Sequence, residues 1–319
     1  MSTRTKGIVF RHTQLDAIPV FTTLAFLSGY VVLAIVWDRL SWQGKVAALP
    51  LAPLLFSLVQ HGQHFHSHTP FFQRKALNRA FLCALSVLGG HPMALYKYTH
   101  MLHHARAYRY DSYWYVAGLD SVRGIGLRLF ELFLDVFGVY WLFVAARVLR
   151  NVRIPLLPVP EGIEAFIKAQ QARDESARRQ LLAEAVTITL FRVALCAINW
   201  KFFVLFYLPA HCFSVLLLAY SEFSEHYGVV NDVDPMANSV SSYGRVYNFF
   251  CMNNGYHQEH HFRPACHWTK VKELRSKMLA PESRRVVPIA HWLNPAFAVP
   301  PGVMRSEEDV NAEIQAGYE

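Results

Sequence analysis

Four long apolar runs constrain what this 319-residue chain can fold into more than any other feature of its sequence. A helix needs about 20 mostly apolar residues to cross the hydrocarbon core of a bilayer. The four runs come near this length, at residues 17–37, 46–62, 185–200 and 202–223. Only 17% of the chain is charged, whereas a soluble domain carries about 25% charged residues. The sequence therefore predicts an all-α integral membrane protein with about four transmembrane helices.

The distribution of basic residues predicts which side of the membrane the connecting segments face. Lys and Arg are concentrated on the cytoplasmic side of membrane proteins. Seven lie in residues 69–124, and nine follow residue 223. A fifth apolar stretch, residues 125–148, is interrupted by charged side chains, and we expect it to lie in the interface without crossing. Both termini are then cytoplasmic, together with a helical cap formed by residues 63–184 and 224–319.

Charge and cysteine content exclude several other classes of protein. The formal net charge is +8, but no nucleic-acid-binding motif accompanies it. Basic residues that flank membrane spans explain the charge, so no nucleic-acid partner is expected. The five cysteines show no CxxC spacing, which predicts neither a disulfide framework nor a cysteine-based zinc site.

Sixteen histidines are present, and most of them fall in three short clusters. The first cluster follows the second apolar run and contains His61, His64, His66 and His68. Residues four apart share one face of a helix, which favours His64 and His68 as a pair. His61 lies on the same face one turn earlier, whereas His66 points elsewhere. The register of this cluster therefore stays open, and isolated histidines such as His211 are expected to be structural.

The second and third clusters share the spacing HxxHH, which places the first histidine beside the other two on a helix. Their members are His100, His103 and His104, followed by His257, His260 and His261. Imidazole is a common ligand of iron, zinc, copper and nickel. Eight ring nitrogens are too many for one tetrahedral zinc ion, and they fit two ions that keep positions open for oxygen. Because the topology places all three clusters on one side, we predict a two-metal site.

The three clusters resemble the histidine boxes of the membrane-bound fatty acid desaturase and hydroxylase superfamily. Neighbouring residues resemble sphingolipid (dihydroceramide) desaturases and bacterial desaturase-like enzymes in particular. The matching motifs are Leu77-Asn78-Arg79, Tyr98-Thr99-His100, Ser224-Glu225-His226-Tyr227 and Asn254-Gly255-Tyr256-His257 continuing to His261. The resemblance covers roughly residues 45–110 and 200–270.

The resemblance implies a non-haem di-iron centre that uses O2 to oxidise an unactivated C–H bond in a lipid acyl chain. The implied ligands are His64, His68, His100, His103, His104, His226, His257, His260 and His261. Desaturation is expected first. Hydroxylation or ketolation of a lipid or carotenoid, and oxidative decarboxylation of a fatty acid, stay open because a small change in substrate placement switches the outcome. We expect residues such as Phe56, Leu88 and Phe249 to line the path of the chain.

The electrons for such a reaction are expected from a separate protein. The sequence contains neither the His-Pro-Gly-Gly motif of a fused b5-type cytochrome nor a four-cysteine iron–sulfur pattern. We therefore expect a ferredoxin or a b5-type cytochrome with its reductase. Such donors are often acidic, and the basic run within residues 263–277 is a candidate docking surface.

Three carboxylates near the boxes are expected to support the ligands. Glu225, Glu259 and Asp111 are placed to hold a ligating histidine by its second ring nitrogen. A His-rich metal transporter is the alternative from a different class. Transporters place their ligands near the bilayer midplane within broken helices, whereas these histidines lie at or beyond the ends of the apolar runs. The sequence therefore favours an oxidase.

Overall fold

The computed structural model describes residues 9–106, 122–150, 175–226, 238–277 and 286–287. Within these residues the regular structure is helical, and β pairing is limited to two isolated bridges. The predicted all-α class is therefore confirmed. The candidate residue Asp111 lies outside the described residues.

The chain divides into two compact units, each formed from two segments. The first unit falls within Met1–Thr99 and Trp114–Val215, and the second within His100–Tyr113 and Leu216–Glu319. The helices, in chain order, are α1 (Ala17–Val36), α2 (Trp42–His68), α3 (Lys75–Gly89), α4 (Met93–Arg106), α5 (Val122–Asp135), α6 (Val139–Arg150), α7 (Glu175–Ile198), α8 (Leu208–His226), α9 (Arg245–Phe250) and α10 (His257–Phe262). A short helical segment, Trp200–Phe202, and a π-helical turn, Phe203–Tyr207, precede α8.

Helix packing gives the first unit two apolar cores. Helices α3 and α6 pack on α7, and α1 packs on α2 and α3. Aromatic side chains such as Tyr30, Phe56 and Phe202 fill one core, and Trp141 and Ile188 belong to the other. Dense packing of such groups stabilises the unit because it removes apolar surface from the solvent.

Local signals in the sequence set several helix ends in the first unit. The Ser41 hydroxyl accepts a hydrogen bond from the backbone N–H of Gly44 and caps the start of α2. The side chain of Asn199 does the same for the helical segment before α8, at the N–H of Phe202. Helix α3 ends at Gly90, whose φ of 71° lies in the left-handed region that favours glycine.

Three helical stretches are long and apolar enough to cross a membrane by length and composition: Gln14–Arg39, Ser176–Ile198 and Trp200–His226. They cover the first, third and fourth apolar runs. The helix that covers the third run, Ser176–Ile198, begins earlier than the sequence predicts. Large apolar side chains remain exposed on these helices, and Phe21 and Leu190 are 72% and 63% exposed. Such surfaces suit contact with lipid, because water would disfavour so much exposed hydrocarbon.

The second predicted span stays a prediction, and the fifth apolar stretch has a shape that the sequence does not predict. Residues 46–62 do form a helix, but α2 is not among the described helices that meet the test for a span. The fifth stretch forms two helices, α5 and α6, that bend by 101° at a break near Gly138. The described residues thus contain three candidate spans, or four if the bent pair crosses.

Candidate metal centre

The second histidine box lies on the last turns of α4, within the second unit. His100 and His104 are one helical turn apart, and their Nε2 atoms lie 3.1 Å from each other. His103 projects from a neighbouring position, and its ring centre is 4.5 Å from that of His226 at the end of α8. Helical spacing therefore sends the first and last histidines of the box to one place and the middle histidine to another.

The third box divides in the same manner on the short helix α10. His260 Nε2 lies 3.1 Å from His104 Nε2. His257 Nε2 lies instead 3.2 Å from His226 Nε2. His261, the last residue of this box, places its ring centre 4.9 Å from that of His226. Each HxxHH box thus contributes its i,i+4 pair to one group of rings and its middle histidine to another.

Two groups of ring nitrogens result within the second unit. In each group the donor atoms lie within 4.8 Å of one another. We call them the three-histidine group, His100, His104 and His260, and the four-histidine group, His103, His226, His257 and His261. All members except His104 are buried.

The spacing of these nitrogens fits donors that share an ion. Two donors about 2.1 Å from one ion lie about 3.0 Å apart at a right angle and about 3.4 Å apart at the tetrahedral angle. The measured Nε2–Nε2 separations of 3.1, 3.1 and 3.2 Å fall within this range. Both groups therefore have the local geometry of metal sites.

Protonation favours the same conclusion. Burial lowers the pKa of His100 to about 3. Burial and the neighbouring histidine rings lower the pKa of His261 well below its usual value. Both rings are neutral at pH 7, which is the form that binds metals. Both ring nitrogens of His261 are buried without a hydrogen-bond partner among the described residues, and a metal ion would remove that deficiency at one of them.

A backbone carbonyl fixes the tautomer of His226. Its Nδ1 lies 2.8 Å from the carbonyl oxygen of Asn238. Because a carbonyl only accepts hydrogen bonds, Nδ1 must carry the proton and donate it. Nε2 then keeps its lone pair and faces His257. Metal-ligating histidines commonly donate their second nitrogen in this way, and no motif in the sequence predicts this contact.

Glu225 contacts the site from a direction that the sequence does not predict. Its carboxylate Oε2 lies 3.4 Å from Nε2 of His257, the nitrogen that faces His226. The expectation was a contact at the second ring nitrogen. The other carboxylate oxygen accepts a hydrogen bond from the side-chain amide of Asn254 at 2.8 Å. Glu225 is therefore held with one oxygen beside the donor atoms.

Glu259 has a different role from the one expected. Its carboxylate accepts hydrogen bonds from the hydroxyls of Ser241 and Tyr243, at 2.8 and 2.7 Å. It thus ties α10 to the segment that precedes α9, and no contact with a histidine ring is seen within the part of the chain that the structure describes. Its position on α10, between His257 and His260, turns the side chain away from the ring nitrogens.

The loop before α10 depends on unusual backbone conformations. Met252 and Asn253 have φ values of 52° and 61°, which are uncommon for residues other than glycine. A Cβ atom on Gly255 would overlap the carbonyl oxygen of Ser242. The loop thereby places the amide of Asn254 against Glu225. The Asn254-Gly255 motif therefore serves the geometry of the site.

The first box lies on the last turns of α2, within the first unit. The ring centres of His64 and His68 are 5.5 Å apart, as expected for an i,i+4 pair. His66 packs edge-on against Phe71 and Phe81 and accepts a hydrogen bond at Nδ1 from the backbone N–H of Phe71. Burial lowers the pKa of His66 to about 3. His66 is therefore a core residue, as its position in the register indicates.

The residues expected to line the acyl chain differ in burial. Phe56 and Leu88 are fully packed in the core of the first unit, and Phe249 is 80% exposed. An apolar cavity of about 350 Å³ instead opens between α1 and α2. Phe26, Ala52 and other apolar side chains line it.

The fold and the site together define an all-helical protein with apolar spans and buried histidine groups. Residues 40–292 match the model of the fatty acid desaturase family. This match covers more than half of the chain, and the chain belongs to the fatty acid desaturase family. No curated protein and no solved structure gives a significant match. The predicted superfamily is confirmed, and the sphingolipid branch stays a prediction.

Proposed function

We propose that this protein is a membrane-bound, O2-dependent di-iron oxidase that desaturates a lipid acyl chain. The observation that carries the proposal is the convergence of seven ring nitrogens in two groups of the second unit. When bound, an iron pair would supply the power to remove hydrogen from an unactivated C–H bond with O2. Membership of the fatty acid desaturase family supports lipid oxidation as the reaction class.

Each histidine group is proposed to hold one iron. The four-histidine group supplies the ligands of one ion. The three-histidine group supplies ligands of the second ion, and we propose His64 and His68 of the first box as further iron ligands. The i,i+4 spacing of His64 and His68, the same spacing that joins the outer residues of the other boxes, supports their role.

The chain's own residues prepare this site for metal. The low pKa of His100 and His261 keeps their ring nitrogens free of protons at neutral pH. The Asn238 carbonyl holds His226 in the tautomer that presents Nε2. Burial of the four-histidine group keeps bulk water away from the donors. These features favour binding over protonation.

A lipid substrate is supported by the apolar surfaces of the first unit. Large apolar side chains are exposed on the candidate spans, and the cavity between α1 and α2 is lined by hydrocarbon. We propose that the acyl chain reaches the protein from the bilayer. Hydroxylation, ketolation and oxidative decarboxylation remain alternative outcomes of the same site, because they differ in the fate of the chain after the first hydrogen is removed.

We propose that a separate acidic protein, a ferredoxin or a b5-type cytochrome with its reductase, supplies the electrons. Support comes from the exposed basic residues that follow the third box, among them Arg263, Lys272 and Lys277. Arg275 has a different environment, since its guanidinium lies 3.9 Å from the ring centre of Tyr243. We further propose that the histidine boxes and both termini face the cytoplasm, where such donors are found.

The first experiment measures the metal content of the protein purified in mild detergent, before and after reconstitution with ferrous iron. We expect close to two irons per chain in the wild type and a clear loss in His260→Ala. His267→Ala is the matched control, because His267 lies in the same unit outside both groups and contacts Thr269. Zinc or exchangeable divalent metal without iron would favour the transporter and contradict the oxidase.

The second experiment identifies the product in membranes supplied with a ferredoxin, its reductase and NADPH. Mass spectrometry of the acyl chains distinguishes the outcomes: desaturation removes two hydrogens, hydroxylation adds one oxygen, and decarboxylation gives a terminal alkene. A product with two hydrogens fewer, absent in His260→Ala, is expected. An oxygenated product or an alkene would replace desaturation with the corresponding alternative.

A further inference from the structure

Glu225 stands out among the carboxylates because it is buried next to donor nitrogens. It is the last residue of α8 before His226, and only 4% of its surface is exposed. Carboxylates are almost never buried in proteins unless they are paired with a cation or coordinate a metal. The question is whether Glu225 supports a histidine ligand from outside or joins the ligands.

The atoms that meet decide between these two roles. A supporting carboxylate accepts a hydrogen bond from the histidine nitrogen that does not bind the metal. Glu225 Oε2 lies instead 3.4 Å from Nε2 of His257, and that Nε2 is 3.2 Å from Nε2 of His226. Because Nδ1 of His226 is engaged by Asn238, its Nε2 is the ligating atom. The carboxylate oxygen therefore lies on the metal-facing side of His257.

The separation between Glu225 Oε2 and Nε2 of His257 also fits a shared ion. Glu225 is not among the residues whose donor atoms all lie within 4.8 Å of one another, so it would join the group from its edge, beside His257. Two donors about 2.1 Å from one ion at the tetrahedral angle are about 3.4 Å apart, and oxygen and nitrogen donors have similar bond lengths to a metal. We infer that Glu225 is a carboxylate ligand of the ion held by the four-histidine group. The inference rests on the proposed function, because it requires that ion.

The surrounding residues hold Glu225 in this orientation. The amide of Asn254 donates to Oε1 at 2.8 Å, which leaves Oε2 directed at His257. The backbone carbonyl of Glu225 accepts a hydrogen bond from the N–H of Val240, which fixes the end of α8. Asn254 is thus a positioning residue for Glu225.

A carboxylate at one ion makes the two metal sites chemically different. The four-histidine group would become a site with four neutral donors and one negative donor, whereas the three-histidine group consists of neutral donors. A negative ligand lowers the net charge of its ion and stabilises the higher oxidation state. The two irons are then expected to have distinct spectroscopic signatures.

The test compares iron-loaded wild type with Glu225→Gln, which keeps the shape and a hydrogen-bond acceptor but removes the charge. Glu259→Gln is the matched control, since Glu259 is also buried in the second unit and contacts hydroxyls only. Mössbauer spectra of 57Fe-loaded protein and chelator competition are the readouts. We expect Glu225→Gln to change one of two quadrupole doublets and to weaken one iron by at least about 10-fold. Glu259→Gln leaves both doublets unchanged.

A second measurement uses the wild type alone, so it does not depend on the folding of a variant. The infrared difference spectrum between iron-free and iron-loaded wild type is expected to contain a shifted carboxylate stretch. Unchanged doublets and iron affinity in Glu225→Gln, or no carboxylate shift in the wild type, would overturn the inference while leaving the di-iron oxidase intact. A wild type that binds no iron after reconstitution overturns the proposed function itself.

Discussion

Each of the two units contains a buried polar cluster with a histidine, and the two clusters differ in how their polar atoms are matched. In the first unit, Arg192 donates to the backbone carbonyl of Asp135, lies 3.2 Å from its carboxylate and is 3.0 Å from Nε2 of His211. In the second unit, histidine nitrogens face other histidine nitrogens. In the first cluster a guanidinium donor contacts hydrogen-bond acceptors, whereas in the second cluster the contacting groups are all imidazole rings.

This difference separates a structural histidine from a ligand. His211 has a complementary partner, since the Arg192 guanidinium donates to its ring nitrogen. The arginine also binds the last carbonyl of α5, next to the break at Gly138, and so stabilises the bend between α5 and α6. In the second unit several ring nitrogens converge on one another, and one cation can bind all the nitrogens of a group at once. Burial alone therefore does not identify a ligand; the chemistry of its neighbours does.

The largest expected effect is the loss of activity in His261→Ala. This change removes a donor whose ring nitrogens have no hydrogen-bond partner among the described residues, so the metal-free protein loses little stability. Even residues that only support a ligand cost 10- to 100-fold in metal affinity or activity. We expect turnover below about a hundredth of the wild type, with iron loss and an unfolding temperature close to that of metal-free wild type. Retained turnover would remove His261 from the ligand set.

The opposite behaviour is expected for the cluster of the first unit. Arg192→Met leaves the partly buried Asp135 carboxylate, whose side chain is 25% exposed, without its cation. Breaking one side of a fully buried ion pair costs about 3–5 kcal/mol, and we expect a smaller loss here because water reaches Asp135. The double change Asp135→Leu with Arg192→Met removes both charges and is expected to recover most of this stability. Denaturant unfolding in detergent measures both values.

The iron content of the folded fraction, measured for the same variants, tests whether the cluster of the first unit affects metal binding in the second. We expect it to remain at the wild-type level in Arg192→Met, because this cluster has a structural role. Iron loss from folded Arg192→Met would show that the two clusters depend on each other. Failure of the double variant to recover stability would contradict the ion-pair explanation.

Acid is expected to destabilise the metal-free protein through its neutral histidines. His100 has a folded pKa of about 3, and an unfolded histidine has a pKa near 6.5. Between these values the unfolded chain binds a proton that the folded chain does not, so stability falls as the pH falls. The slope is about 1.4 kcal/mol per pH unit for His100, and above pH 6.5 it vanishes.

Unfolding of chelator-treated protein at several pH values measures this slope. His100→Gln is expected to reduce it by the contribution of one histidine, and iron-loaded protein is expected to resist acid to a lower pH. An unchanged slope in His100→Gln would show that other groups control the acid response.

Sequence reasoning predicted the parts of the site that depend on local helix geometry. The spacing of His100 and His104 fixes their shared face, because helical periodicity is a local property. His103 belongs to a different group from His100 and His104 because of the way α4, α8 and α10 pack together. No local sequence pattern predicts that packing. The contacts of Glu225 and Glu259 were assigned from their proximity in sequence, but side-chain direction on each helix decided them.

The fold shows the same division. The apolar run that forms α1 was predicted nearly to its ends, because length and hydropathy suffice for an isolated span. The bend between α5 and α6 was not predicted, since it depends on a left-handed Gly138 and on Arg192 from a distant helix. The charged side chains within residues 125–148 indicated that this stretch is not an ordinary span, but they did not predict the bend.

The smallest expected effect tests the comparison within a single box. His66 has a complementary partner at Nδ1, where the Phe71 N–H donates at 3.2 Å, and two aromatic rings pack around it, although it lies between the candidate ligands His64 and His68. Its Nε2 is buried without a hydrogen-bond partner among the described residues, so the comparison rests on the contact at Nδ1. In His66→Asn the amide oxygen can replace Nδ1 as acceptor, and the loss of ring packing is expected to cost about 1–2 kcal/mol. Iron content and turnover of the folded variant should match the wild type, whereas His64→Asn should lower both. If His66→Asn lost iron as His64→Asn does, complementary neighbours would not be sufficient to mark a buried histidine as structural, and the register of the first box would have to include His66.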